Sequence, residues 1–155
     1  MSWYLRDHPG YLKQPALVAE LTAAFEAWSP ACGVTFEQAE SADDAKILIG
    51  FGGQQGDDAH IFDGPGGALA KTTYGTPALI EFDEEEKWLL QGDGGAFGAF
   101  RLLPVAMHEV GHVIGLSHSL LAGDMMGPWY SEDLKGPSDN DRERCAALYP
   151  PATSD

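Results

Sequence analysis

The sequence predicts an α+β fold of five short strands and three helices. Three observations carry that expectation. A stretch near the start places apolar residues at helical spacing, and several short runs of Val, Ile, Leu and Phe are bounded by glycine, proline and aspartate. The third is the run HEVGHVIGLSH, His108 to His118, which holds three of the chain's five histidines at a spacing that suits a helix and the turn after it.

The elements follow in chain order. Trp3 to Arg6 reads as a first strand, and His8-Pro9-Gly10 as a turn that leaves His8 in solvent. Pro15 opens a helix through Trp28, with Leu17, Val18, Leu21, Ala24, Phe25 and Trp28 on its apolar face, and Ser29-Pro30 ends it. Val34 to Glu37 is a strand, and Lys46 to Phe51 a more buried one. A Gly/Asp-rich loop runs from Gly52 to Gly67, followed by strands at Ala68 to Thr73 and Leu79 to Phe82. Gln91 to Gly98 is a glycine-rich link. The motif helix runs from Phe100 or Arg101 to Gly115, with Pro104 tolerable in its first turn. Ser138 caps a last helix to Leu148, which Pro150-Pro151 stops. No internal repeat is present.

At 155 residues the chain is expected to form one domain, spanning 1–155, with a real hydrophobic core. No run of about 20 apolar residues exists, so no membrane span is expected. The formal charge of −15 argues against nucleic acid and anionic membranes as partners and offers carboxylates to hard cations such as calcium. The start, MSWYLRDHPG, carries no signal-peptide pattern, which leaves open a trimmed catalytic domain or a cytosolic protein. A monomer is expected. Cys32 and Cys145 match no zinc spacing. They could pair or both be free and buried; the free state is favoured, because separation in sequence says little about distance.

The histidine motif carries the chemistry. Residues four apart share a helix face, so His108 and His112 can direct their rings at one metal ion. Glu109 follows the first of them and can reach a metal-bound water. Gly115 can take a left-handed conformation that ends the helix and brings in His118. Three nitrogen ligands leave a fourth position open, as in a catalytic zinc site. H-E-x-x-H alone also occurs on ordinary amphipathic helices; the full five-position pattern is far more specific.

Eight residues past His118 comes Met126, within DMMGPWY. With that addition the chain resembles the metzincin metalloproteases, and among them the matrixins. Ser119 directly follows the third histidine, and Pro128 stands where astacins and serralysins carry a tyrosine. Further matches are ILIGF, FDGPGGALA, EFDEEEKW and SDNDRERCAALYP, so the resemblance covers nearly the whole chain.

The resemblance implies a twisted, mixed five-stranded sheet with a methionine turn below the zinc. It implies a secreted zinc endopeptidase that hydrolyses peptide bonds through a zinc-bound water, with Glu109 as general base. Met126 would support the histidines without ligating. Neither a propeptide nor a C-terminal accessory domain is expected. Pro30-Ala31-Cys32-Gly33-Val34 lacks the Arg and the Pro-Asp of the family's inhibitory propeptide motif and reads as a loop.

By the same resemblance one structural calcium is implied, with carboxylates from Asp63, Asp83 and Glu86 and carbonyls from Gly64, Gly66 and Ala68. Read alone, Asp83-Glu84-Glu85-Glu86 is a solvated acidic face. The family's second, structural zinc is expected to be lost. Its ligand places hold Gln55, Asp57, Lys71 and Glu81. Nearby His60 does not restore a ligand set. Lys71 is expected to replace the metal as a charge between Asp57 and Glu81. A peptide or protein substrate is implied to add as an extra strand along Ala68, Leu69 and Ala70. Pro128, Trp129 and Tyr130 would wall a pocket with Pro104 at its base. Two rival readings remain: a non-catalytic zinc-binding or interaction domain on the same fold, and a zinc hydrolase acting on another bond. Glu109 argues against the first, since a structural site needs no base. The edge strand and methionine turn argue against the second.

Overall fold

Alternation along the strands sets the sheet in the computed structural model, which describes residues 1–52, 62 and 64–150. Strand β1 (Ser2–Leu5) turns Trp3 and Leu5 inward; β3 (Ile47–Gly52) does the same with Ile47, Ile49 and Phe51, and β5 (Ala78–Asp83) with Ile80 and Phe82. β2 (Glu37–Gln38) and β4 (Ala70–Thr73) complete a five-stranded sheet in the order β2-β1-β3-β5-β4. Every pairing is parallel except β4 with β5, so the sheet is mixed and β4 is an edge. A cis Thr76–Pro77 bond lies in the turn between β4 and β5.

Among the described residues three helices have ten or more residues: α1 (Gln14–Glu26), α3 (Leu102–Ile114) and α4 (Asp139–Leu148). The α+β class and the mixed sheet agree with the sequence. Leu17, Leu21, Ala24 and Phe25 of α1 are buried, and Phe25 stacks on Trp3 with centroids 5.2 Å apart. The indole Nε1–H of Trp28 donates to Met107 O at 2.8 Å, fixing α1 against α3. Such a bond contributes about 0.5–1.5 kcal/mol net, beyond the burial of the ring.

Several boundaries depart from the sequence reading. Ser29-Pro30 does not end helical structure. It opens the one-turn α2 (Ser29–Cys32), where proline sits in the first turn and its missing N–H costs nothing. β2 begins later than expected: Val34 and Phe36 pack against the core from a loop, Phe36 lying 4.9 Å from Phe25. A second, two-stranded parallel sheet, β6 (Lys87–Leu89) and β7 (Ala99–Arg101), was not foreseen. Three residues are too few to show a period.

Cys32 and Cys145 are not free. They form a disulfide, with Cα atoms 5.2 Å apart, that ties α2 to α4. The packing of α4 against α2 brings together positions separated by 113 residues.

The start of α3 lacks a side-chain cap of its own. Glu20 of α1 supplies one from outside: Oε1 accepts from Leu103 N at 3.1 Å and Oε2 from Gln91 N at 2.6 Å. Burial pushes this carboxyl above its ordinary pKa, and the two N–H donors pull against that.

Removing the Cys32–Cys145 bond by paired Cys→Ala substitution is expected to lower the unfolding free energy by about 2–4 kcal/mol. Urea unfolding of the variant and the parent measures it; coincident midpoints would refute the stabilising role.

Candidate active site

His108 and His112 lie one turn apart on the last half of α3. Gly115 then takes φ 118°, a left-handed value that a side chain would strain, and Leu116 N reaches back to Gly111 O at 2.9 Å. The chain reverses and delivers His118. The three Nε2 atoms form a near-equilateral triangle: 3.1 Å from His108 to His118, 3.1 Å from His108 to His112, and 3.2 Å from His112 to His118. Nitrogens on a tetrahedral zinc stand about 3.3 Å apart. The donor set therefore fits zinc, and among the described residues no fourth His, Cys, Asp or Glu joins the cluster.

The opposite ring nitrogens fix the rings. His108 Nδ1–H donates to Met125 O, and His112 Nδ1–H to Leu116 O, both at 2.8 Å. Each bond holds the tautomer that turns the Nε2 lone pair inward. Burial pushes the His108 imidazole down to about 4, the neighbouring His112 and His118 adding to the effect and the Met125 carbonyl opposing it. His118 is lowered in the same direction, first by burial and then by His112. Neutral rings are the form that ligates a metal.

Below the triangle runs the turn Asp124–Gly127. Met126 is fully buried, and its Sδ sits only 2.3 Å from where a Cβ on Gly111 would be, with Trp28 Cζ2 at 2.9 Å from the same point. Only glycine fits between them, which accounts for the residue inside HEVGH. The sequence places Met126 here, but not what holds it. Asp141, with no exposed surface, accepts from Met125 N at 2.6 Å and, more weakly, from Met126 N at 3.4 Å. Its Oδ2 also accepts from Ser138 N at 3.0 Å, closing the capping box of α4. Asp124 is knit to the same place by Ser119, Ser138 and Asn140.

Glu109 is 6% exposed and lines the same cleft as the histidines. Its Oε2 accepts from Thr72 Oγ1 at 2.6 Å, a contact the sequence reading missed. Burial raises the Glu109 carboxyl above its ordinary pKa, while the Thr72 hydrogen bond and His112 pull it down.

The cleft has a volume of about 630 Å³. Leu69 and Ala70 line one side, Pro128, Trp129 and Tyr130 the other, and Pro104 lies deeper. Tyr130 forms a firm wall: its hydroxyl accepts from Arg101 N at 2.9 Å and its ring meets Phe100 edge-on at 5.0 Å. Trp129, 75% exposed, stands at the rim instead. Phe100, Val105 and Leu134 also line the cleft and were not singled out from sequence.

The candidate calcium residues divide. Asp63 lies outside the described residues. Asp83 and Glu86 are 0% and 4% exposed, whereas Glu84 and Glu85 between them face solvent. The segment is thus no uniform solvated face. Asp83 Oδ1 accepts from Glu85 N at 2.9 Å; Oδ2 is buried with no hydrogen-bond partner among the described residues. Glu86 Oε1 accepts from Gly66 N, drawing the glycine loop onto this turn. Gly64 is buried and Ala68 lies at the loop's far end. A buried carboxylate oxygen left unpartnered beside a second buried acid fits a hard cation.

At the second-zinc places, Gln55, Asp57 and His60 lie outside the described residues. Lys71 faces Glu81 in the β4–β5 register but is exposed, and it forms no ion pair among the described residues. The cation on Glu81 is instead Arg6, with Nη2 3.4 Å from Oε1. Arg6 reaches across Gly50, where a Cβ would lie 2.6 Å from the same nitrogen. For Glu81 the expectation on Lys71 is therefore corrected: Arg6, from the end of β1, supplies the charge, while Asp57, the other expected partner, lies outside the described residues.

Comparison with known proteins agrees with this geometry. The family model described as Matrixin matches residues 1–150. Metalloendoproteinase 1 of Glycine max is 37% identical over 64% of this chain and 33% of its own length. Matrix metalloproteinase-25 of Homo sapiens is 32% identical over 96% of this chain and 28% of its own. Karilysin of Tannerella forsythia is 30% identical over 96% of this chain and 31% of its own. The chain thus spans about a third of the length of these relatives. A converging histidine triad, a turn with a buried methionine beneath it, and a family match over nearly every residue lead to one conclusion: the chain belongs to the matrixins, a family of zinc metalloendopeptidases.

Proposed function

We propose that residues 1–155 form one metalloprotease catalytic domain that hydrolyses peptide bonds, with Glu109 as general base. The observation that carries this is the pairing of a three-nitrogen metal triangle with a buried carboxylate in one cleft, beside an open strand edge. His108, His112 and His118 would hold the zinc. When bound there, zinc supplies a Lewis acid that acidifies water and polarises a scissile carbonyl. Glu109 takes a proton from the attacking water and returns it to the leaving amine, so the carboxylate is regenerated each turnover.

The substrate reading rests on β4. It is the sheet's edge, and the cleft lies along it, so an extended peptide can add beside Leu69 and Ala70 through main-chain hydrogen bonds. Pro104, Phe100 and Tyr130 offer an apolar recess for one side chain. Calcium is assigned to the site of Asp63, Asp83, Glu86 and the Gly64, Gly66 and Ala68 carbonyls, supported by the unpartnered Asp83 oxygen. The structural zinc is read as lost, since Lys71 and Glu81 are poor zinc ligands at two of its places and Glu81 already has Arg6. An extracellular setting is supported by the disulfide. The non-catalytic alternative is disfavoured by the lack of a fourth protein ligand among the described residues.

Three outcomes are expected. Metal analysis of protein dialysed without chelator should give one zinc per chain; two would show that the second site survives. Glu109→Ala should retain zinc and fold while losing at least about 10²–10⁴-fold in cleavage of a mixed peptide library. Near-normal turnover in that variant would sink the general-base assignment. Calcium at 100 times its Kd should stabilise the fold by about 2.7 kcal/mol, and Asp83→Asn should abolish the gain. An unchanged melting temperature in EGTA, with zinc held constant, would count against the site.

A further inference from the structure

We infer that Thr72 is a positioning residue for Glu109: its hydroxyl pins one carboxylate oxygen so that the other is presented to the cleft. The inference rests on the endopeptidase reading above and deepens it.

The placement follows from strand geometry. Along β4, Lys71 and Thr73 are exposed while Ala70 and Thr72 are half-buried, the alternation of a strand with one face on the protein. The ladder pairs Thr72 with Ile80, a fully buried core residue of β5. Thr72 therefore points toward α3 and not into solvent. There its Oγ1 lies 2.6 Å from Glu109 Oε2 and 3.3 Å from the main-chain oxygen of the same residue. The shorter contact is the length of a hydroxyl donating to a charged carboxylate. The longer one shows how close β4 runs to the helix at this point.

The consequence is a division of labour between the two carboxylate oxygens. Oε2 is occupied by the threonine. Oε1 has no protein hydrogen-bond partner among the described residues. A glutamate side chain has a broad, two-fold terminal torsion, so without a fixed donor the carboxylate would sample many orientations. A base that must take a proton from one place and deliver it to another needs its orientation held. Valine at this position would keep the branched shape and remove the donor. Serine would keep the donor and remove a methyl group. β4 is also the strand on which the peptide is proposed to add, so substrate seating and base alignment share one rigid element.

Thr72→Val and Thr72→Ser, each zinc-loaded, test this with two readouts. Steady-state kinetics on a cleaved library peptide should show kcat reduced about 10–100-fold in the Val variant, with KM within about threefold of the parent. The Ser variant should restore kcat to within about threefold, on the same scale. A loss carried by KM, or a Ser variant as impaired as Val, would mean that Thr72 only shapes the strand and would overturn the inference. The second readout does not need turnover. Crystal structures of the zinc-loaded variants should show the Glu109 carboxylate rotated in Val and in place in Ser; an unmoved carboxylate in Val overturns the inference as well. If the parent cleaves no peptide, the endopeptidase reading fails, and the carboxylate positions alone then decide the role of Thr72.

Discussion

One buried carboxylate holds the site's floor in place. Asp141 is wholly enclosed at the start of α4, and it takes hydrogen bonds from Met125 N and Ser138 N, with a longer one from Met126 N. The Met125 bond sets where the turn lies. The Met125 carbonyl in turn receives His108 Nδ1–H and orients that ring. A group 33 positions away in sequence thus reaches the metal triangle through two hydrogen bonds. Hydrogen bonds to a charged acceptor contribute about 1.5–3 kcal/mol each, and leaving such a carboxylate unpartnered costs more than any one of them contributes. The network is therefore kept complete or the turn is lost.

The same logic, polar groups buried only where partners converge, recurs around the cleft. Glu20 is a carboxylate from α1 spent on the bare amino end of α3. Trp28 donates to a main-chain oxygen of that helix from the other side. Gly111 lets the Met126 sulfur and the Trp28 ring close on α3 at distances no side chain would allow. The helix that carries two of the histidines is thus clamped at its start by a charge, at its middle by a missing Cβ, and at its end by the reversal at Gly115. Rigidity of this kind holds the three imidazoles in the geometry a metal needs.

The acidic character of the chain divides on the same principle. Among the described residues most carboxylates face solvent, where their charge is diluted by water and salt. Asp83 and Glu86 are exceptions, buried side by side with one oxygen unpartnered, while Glu84 and Glu85 between them stay outside. Arg6 marks another: it spans from the end of β1 across Gly50 to Glu81, with Nη2 3.4 Å from the carboxylate. The family place of Lys71 suggested it for that partner; its side chain on the edge strand is exposed, whereas Arg6 reaches over Gly50 to Glu81.

The sequence alone determined whatever depends on local spacing. The i, i+4 histidines, the glycine reversal, the Ser138 cap and the strand alternation each follow from covalent geometry within a few residues, so the α+β class, the order of the main elements and the metal triad were legible. The tertiary structure decided what depends on distant groups meeting. The Cys32–Cys145 bond, the Glu20 network, the Arg6–Glu81 pair and the Thr72 contact to Glu109 join positions 37 or more residues apart, and the bonds from Asp141 to Met125 and Met126 span 16 and 15. β6 and β7 were hidden for a related reason: three-residue strands have no period, and each exists only because the other lies beside it. Spacing can nominate a side chain, but which partner it finds is set by packing between elements, and no short window of sequence contains both.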